Sequence, residues 1–244
     1  IAVAKTPHLL AANATSIPAD LAAILRYTAE GKAIIGVPVP DMGQGMITTA
    51  AQMVADELYL KLEDVTVELM PFVGNSDEEG KAAFGRFYQG TGGSLSTARI
   101  WGPLRQSAAY LRALLVEAAA KQSGFDADSF TTTDGYVIHS PSGQKYAYQS
   151  LVADITPETA PDYDAVIMRP QADRKLVGKP QRNIAAKDIA TGKPLYGIDQ
   201  DVPGMLHAAI KRCPHLKGDL VRHNGDAVRA MPGVQAVIEM PRLP

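Results

Sequence analysis

The chain has 244 residues, 46% of them hydrophobic and 20% charged, a balance that excludes a disordered or low-complexity polypeptide. Its 24 Lys and Arg against 26 Asp and Glu leave a formal charge of −2, with no basic footprint for nucleic acid or an anionic membrane surface. The single cysteine, Cys213, excludes an internal disulfide and a cysteine-ligated cluster built by this chain alone.

Residues 1–20 show no period and read as an extended arm. Leu21–Tyr27 and Ala33–Val39 flank Thr28-Ala-Glu-Gly31-Lys and read as a hairpin, with Gly31 supplying the positive φ of the turn. A helix over Ala19–Glu30 competes; the strand-like Ala33-Ile-Ile-Gly-Val favours the hairpin. Pro38 and Pro40 end the strand, since proline donates nothing to a ladder. Met46, Ala50, Met53, Val54, Glu57 and Leu58 recur at helical spacing, so Gly43-Gln44-Gly45 sits between a strand end and a helix start. Val65–Leu69 reads as a strand and residues 71–90 as a loop.

A second glycine-rich segment, Gly90-Thr-Gly92-Gly93-Ser94-Leu95-Ser96-Thr97, opens a long helix that ends near Lys121, with Ser94 or Ser96 as N-cap and Gly124 as stop. Pro103 lies inside it and predicts a kink or offset. The most apolar run, Ala108–Ala120, is too short and too charged (Arg112, Glu117) to span a bilayer. Tyr136–His139 and Lys145–Tyr148 form a second hairpin around Pro141-Ser-Gly143, and 149–155 a short helix. Four prolines over residues 156–182 mark a linker. Beyond it, Gly204–Ile210 and Val234–Met240 read as strands and Asn224–Ala230 as a short helix.

Both glycine-rich segments open helices, whose first turns carry unpaired N–H groups and partial positive charge. Each alone is more often a tight strand-to-helix turn than a site. Two in one domain, with Gln44 in one and Thr91, Ser94, Ser96 and Thr97 in the other, fit an anionic cofactor cradled between two helix ends. Met42-Gly-Gln-Gly lacks the third glycine of a dinucleotide fingerprint, and no P-loop pair follows. Asp77-Glu78-Glu79 reads as solvated surface, and His207, His215 and His223 match no zinc spacing. Cys213 reads as structural, and no Ser/His/Asp triad has supporting context.

The ordered pieces Pro38-Val-Pro-Asp-Met-Gly-Gln-Gly-Met, Val54-Ala-Asp-Glu-Leu58, Thr91-Gly-Gly-Ser-Leu-Ser, Trp101-Gly-Pro-Leu-Arg-Gln106, Val177-Gly-Lys-Pro180 and Thr191-Gly-Lys-Pro-Leu-Tyr-Gly-Ile-Asp199 resemble one family. It is the molybdenum-binding large subunit of the xanthine oxidase-like hydroxylases, in the branch of isoquinoline 1-oxidoreductase beta subunits and membrane-linked aldehyde dehydrogenases. The resemblance implies an α+β chain: part of a molybdopterin-binding domain (mixed sheet with long helices) over 1–156, a linker over 157–186, and the start of an α/β hammerhead domain over 187–244, in permuted order. It implies molybdopterin cytosine dinucleotide held by Gly43, Gln44, Gly45, Gly92, Gly93, Ser94, Leu95, Ser96 and Thr97. Aldehyde oxidation or N-heteroaromatic hydroxylation, with oxygen from water, is the implied chemistry. The implied partners are a small subunit with [2Fe–2S] clusters, the remaining part of the large subunit and a cytochrome c; the implied compartment is the periplasm. The family's Gly-x-Gly-Glu segment, which carries its catalytic glutamate, does not occur in these residues. The expectation is therefore a piece of a longer subunit, not catalytically complete alone, or else a cofactor-binding or scaffold module. The first residues carry no basic stretch followed by an apolar core, so no signal peptide is read in them, and an upstream segment is expected.

Overall fold

The computed structural model describes residues 24–28, 31–70, 89–155, 160–215 and 218–240. The expected N-terminal arm, most of the loop at 71–90 and Asp77-Glu78-Glu79 lie outside the described residues. Two compact units divide after Pro194.

The first unit opens with β1 (Leu25–Tyr27) and β2 (Ala33–Val37), paired antiparallel with Leu25 opposite Ile35. The hairpin reading therefore holds over the helical one. Thr28 O accepts from Gly31 N at 2.9 Å, and Gly31 has φ +80°. Helix α1 (Met46–Glu57) leads to β3 (Val65–Leu69), which pairs parallel with β2, giving the sheet order β1-β2-β3. A parallel partner demands a crossover longer than a hairpin, and α1 is that crossover. Its face of Met46, Ala50, Met53, Val54 and Leu58 is buried, as the spacing of three and four predicts.

Helix α2 (Ser96–Ser123) runs through Pro103 without interruption and packs on α1. Gly124 ends it, donating to Ala120 O at 2.8 Å. The N-cap is Leu95, not Ser94 or Ser96, and among the described residues no side chain caps the first turn. Ser94 instead stands in the left-handed region at φ +56°, and Ser96 is already helical. The small residues Ala108, Ala118 and Ala119 let neighbouring elements approach α2, while Leu104, Leu111, Leu114 and Leu115 fill the core.

A second sheet follows: β4 (Phe130–Thr133), β5 (Tyr136–His139) and β6 (Lys145–Ala147), antiparallel in that order. The hairpin around Pro141-Ser-Gly143 is as expected. Strand β4 is an addition; its signal is Asp134-Gly135, both at positive φ, the turn chemistry that a tight two-residue hairpin favours. Helix α3 (Tyr148–Leu151) and a 3₁₀ turn (Val152–Asp154) occupy the expected short helix. Phe125 stacks on the His139 ring at 3.9 Å, and His139 Nδ1 bonds Ser142 Oγ at 2.7 Å, so this histidine is a packing element.

Residues 160–191, although proline-rich, are strapped along α1 and α2. Gln106 Nε2 donates to Tyr163 O and Val166 O at 2.7 and 2.9 Å, Gln52 Nε2 donates to Leu176 O at 3.0 Å, and Ile184 N donates to Thr48 Oγ1 at 3.2 Å. Helix α4 (Ala186–Ala190) closes this stretch. The mixed helices and small sheets agree with the α+β expectation.

Among its described residues the second unit, Leu195–Pro244, has a 3₁₀ turn (Gly197–Asp199) and a short α-helix, α5 (Gly225–Arg229), within the expected Asn224–Ala230. The strands expected at Gly204–Ile210 and Val234–Met240 do not form. A strand exists only when a neighbour takes its backbone groups. Here Leu206, Ile210 and Ile238 are 69%, 75% and 76% exposed, and no ladder partner is present among the described residues of this unit. His223 accepts from Gly225 N through Nδ1 at 2.8 Å and meets Glu239 through Nε2, while Cys213 is exposed.

Candidate functional site: two glycine loops on adjoining helix ends

The first loop follows β2 and turns through Gly43 (φ +100°) and Gly45 (φ +81°) into α1, conformations that require glycine. Its internal bonds are dense. Asp41 Oδ1 accepts from Gly43 N at 2.8 Å and Gly45 N at 3.3 Å, and Asp41 Oδ2 accepts from Ile47 N at 2.9 Å. Gln44 folds back, Oε1 accepting from Met42 N and Nε2 donating to Pro40 O at 3.1 Å. The expected free helix tip is thus already taken by the Asp41 carboxylate, an acceptor that sequence reasoning passed over. The visible signal was Asp41 four residues ahead of a glycine N-cap.

The second loop meets the first. Thr91 Oγ1 donates to the same Pro40 O at 3.0 Å, and Thr97 Oγ1 lies 3.8 Å from Met46 Sδ. One carbonyl therefore receives a donor from each segment, and the first turns of α1 and α2 adjoin. Gly43, Gln44, Gly92, Gly93, Ser94, Leu95 and Thr97 are exposed; Gly45 and Ser96 are half-buried. A Cβ placed on Gly43, Gly45 or Gly92 would meet no atom within 4 Å, and one on Gly93 would touch only Leu95. Seven of the nine predicted residues thus lie on two adjoining loops whose glycines border open space, and Ser96 and Thr97 form the start of α2. None is charged, and Ser94, Ser96 and Thr97 supply hydroxyls at an uncapped helix start.

At the C-terminal end of α1 lies a buried ionic cluster. Glu57 Oε1 accepts from Arg105 Nε at 2.8 Å and Nη2 at 2.6 Å, and its Oε2 accepts from Arg169 N at 2.7 Å. Asp56 Oδ1 accepts from Arg169 Nη1 and Lys175 N, both at 2.9 Å, and Oδ2 from Val177 N at 3.0 Å. Arg112 Nη1 donates to Glu57 O at 2.7 Å, and the Arg169 guanidinium lies 3.8 Å from the Tyr59 ring centre. Asp56, Glu57, Arg105 and Arg169 are each at most 4% exposed. The Val54–Leu58, Trp101–Gln106 and Val177–Pro180 motifs therefore meet here as architecture. A cleft of about 1060 Å³ lies beside the cluster, lined by Tyr59, Lys61, Arg169, Lys175, Arg182 and Lys187 among others; no residue of the glycine loops contributes to it.

A family model described as a molybdopterin cofactor-binding domain matches residues 1–181. The chain is 28% identical over 279 residues to the beta subunit of isoquinoline 1-oxidoreductase from Brevundimonas diminuta, covering 99% of this chain and 35% of that protein. It is 29% identical over 203 residues to a membrane-bound aldehyde dehydrogenase of Gluconacetobacter polyoxogenes whose name carries pyrroloquinoline quinone, covering 81% and 24%. It is 30% identical over 207 residues to a nicotinate dehydrogenase subunit of Pseudomonas putida, covering 81% and 16%. The chain spans at most 35% of the length of these curated relatives.

Proposed function

Because this chain belongs to the molybdopterin cofactor-binding domain family, we propose that it is the cofactor-holding part of the large subunit of a molybdenum-dependent oxidoreductase acting on an aldehyde or an N-heteroaromatic. The observation that carries this reading is the meeting of two glycine loops at Pro40 O with open space before Gly43, Gly45 and Gly92. That geometry fits a flat, phosphate-bearing heterocycle, since side chains at these glycines would occupy its place. When bound, the cofactor supplies the two-electron redox chemistry of a hydroxylation in which water is the oxygen source.

This chain's own residues bind and orient. Gly43, Gln44 and Gly45 present a rigid, uncharged wall. Gly92, Gly93, Ser94, Leu95, Ser96 and Thr97 face it with hydroxyls and the N–H groups of an uncapped first turn, a setting suited to a phosphate. In this proposal the cofactor is the cytosine dinucleotide form. Residues 1–156 belong to the molybdopterin-binding domain, 157–186 to the connection and 187–244 to the start of a hammerhead domain. Electrons leave through a small [2Fe–2S] subunit toward a cytochrome c in the periplasm, and the remaining part of the large subunit supplies the base. The names of the three relatives support the substrate classes. Among the described residues no helix is long and apolar enough to cross a membrane.

The test is the content of the isolated full-length subunit. Molybdenum near one per chain, pterin fluorescence after oxidative release and a cytidine nucleotide are the expected result; a quinone without molybdenum overturns the reading. The sharpest variant is Gly92→Val. The backbone of Gly92 lies outside the left-handed region and its Cβ meets nothing, so the fold tolerates valine, whereas Gly43 at φ +100° does not. We expect a stability change within about 0.5 kcal/mol and a loss of molybdenum and pterin together. Full retention of both in a folded Gly92→Val subunit would show that the cradle lies elsewhere.

A further inference from the structure

We propose that Asp41 is the positioning residue of the cradle: it holds the Gly43–Gly45 wall in its ligand-ready shape without itself touching the ligand. This rests on the reading of the two loops as a cofactor cradle. Three N–H groups that bracket the turn, from Gly43, Gly45 and Ile47, converge on its two oxygens at 2.8, 3.3 and 2.9 Å. A loop with φ of +100° and +81° at its glycines is held in shape only where something over-determines it, because glycine gains the most conformational freedom on release. Gln44 cannot do this work, since its amide spans only Met42 N and Pro40 O. The arrangement has a second consequence. The Asp41 carboxylate, accepting from Ile47 N, offsets the partial positive charge at the start of α1, whereas among the described residues no side chain caps the start of α2. The two walls are therefore electrostatically unlike: the α1 side takes the neutral face of a ligand, and the α2 side takes its anionic group.

The experiment compares wild type, Asp41→Ala and Asp41→Asn in the full-length subunit. Amide hydrogen exchange reads the loop without any ligand. Molybdenum and pterin content, followed over time after dilution, reads retention. Asp41→Ala is expected to speed exchange at Gly43, Gly45 and Ile47 while leaving that of the α2 core unchanged, and to speed cofactor loss by roughly tenfold, the scale of a lost cap. Asp41→Asn keeps one carbonyl acceptor for Gly43 and Gly45 and is expected to fall between the two. A purely structural role would change exchange across α1 as a whole and give no intermediate rescue of retention. A loaded wild type with Asp41→Ala equally loaded and equally slow to lose cofactor overturns this inference alone. A folded wild type with no molybdenum or pterin overturns the cradle reading and the inference with it.

Discussion

Replacing Glu57 by alanine is expected to lower the unfolding free energy by about 3–5 kcal/mol, the cost of leaving a buried charge without its partner. Glu57 is 1% exposed and Arg105 is 4% exposed, so water cannot take over the guanidinium that Glu57 now holds at 2.6 and 2.8 Å. The loss spreads further, because Oε2 also accepts from Arg169 N at 2.7 Å, which fixes the strap of residues 160–191 to α1. Net stabilities of domains are about 5–15 kcal/mol, so this single change takes a large part of the total. Glu57→Gln keeps the shape and one acceptor and is expected to cost about half as much. A pair made apolar together, Glu57→Leu with Arg105→Met, is expected to recover much of the loss, because neither charge is then stranded. Denaturant unfolding of wild type and these three variants reads the differences. A Glu57→Ala protein within about 1 kcal/mol of wild type would show that the cluster is hydrated or dispensable.

The second large effect separates two buried tyrosines. Tyr148, at the start of α3, is fully buried and its hydroxyl donates to Leu58 O at 2.9 Å, tying α3 to the end of α1. Tyr27, on β1, is 8% exposed, and its hydroxyl has no hydrogen-bond partner among the described residues. Tyr148→Phe is expected to cost about 1–2 kcal/mol by orphaning a buried carbonyl, whereas Tyr27→Phe is expected to stabilise by about 1 kcal/mol. Burial pushes both hydroxyls well above the usual tyrosine range, with Tyr148 adding to the effect on Tyr27. Both therefore stay protonated in the folded chain at pH values where the unfolded chain has lost those protons. Stability is unaffected by these groups below about pH 10 and falls as pH rises past it, by roughly 1.4 kcal/mol per pH unit for each tyrosine. Unfolding measured at pH 8, 10 and 11 should show the slope halved in either phenylalanine variant. An alkaline slope equal to wild type in both variants would place the titration elsewhere.

Much of the secondary structure was legible because its determinants sit within a few residues of one another. The hairpin at Gly31, the helix at Met46, the strand at Val65 and the stop at Gly124 each follow from turn chemistry or spacing that no distant residue needs to supply. Asp134-Gly135 carried the same kind of local signal for β4. The Gly204–Ile210 and Val234–Met240 segments show where that logic stops: β-branched and apolar composition permits a strand, but only a paired neighbour makes one.

The amino-acid sequence by itself therefore determined the local elements, the two glycine loops and the order of motifs that marks the family. Tertiary structure alone decided that both loops share Pro40 O, that Asp41 bonds one helix tip while no described side chain caps the other, and that Glu57 finds the backbone of Arg169 across 112 residues. The reason is physical. A turn or a helix face is specified by neighbours along the chain, whereas a buried carboxylate takes whichever donor the packed core brings within reach, and nothing in a linear pattern states which one that is.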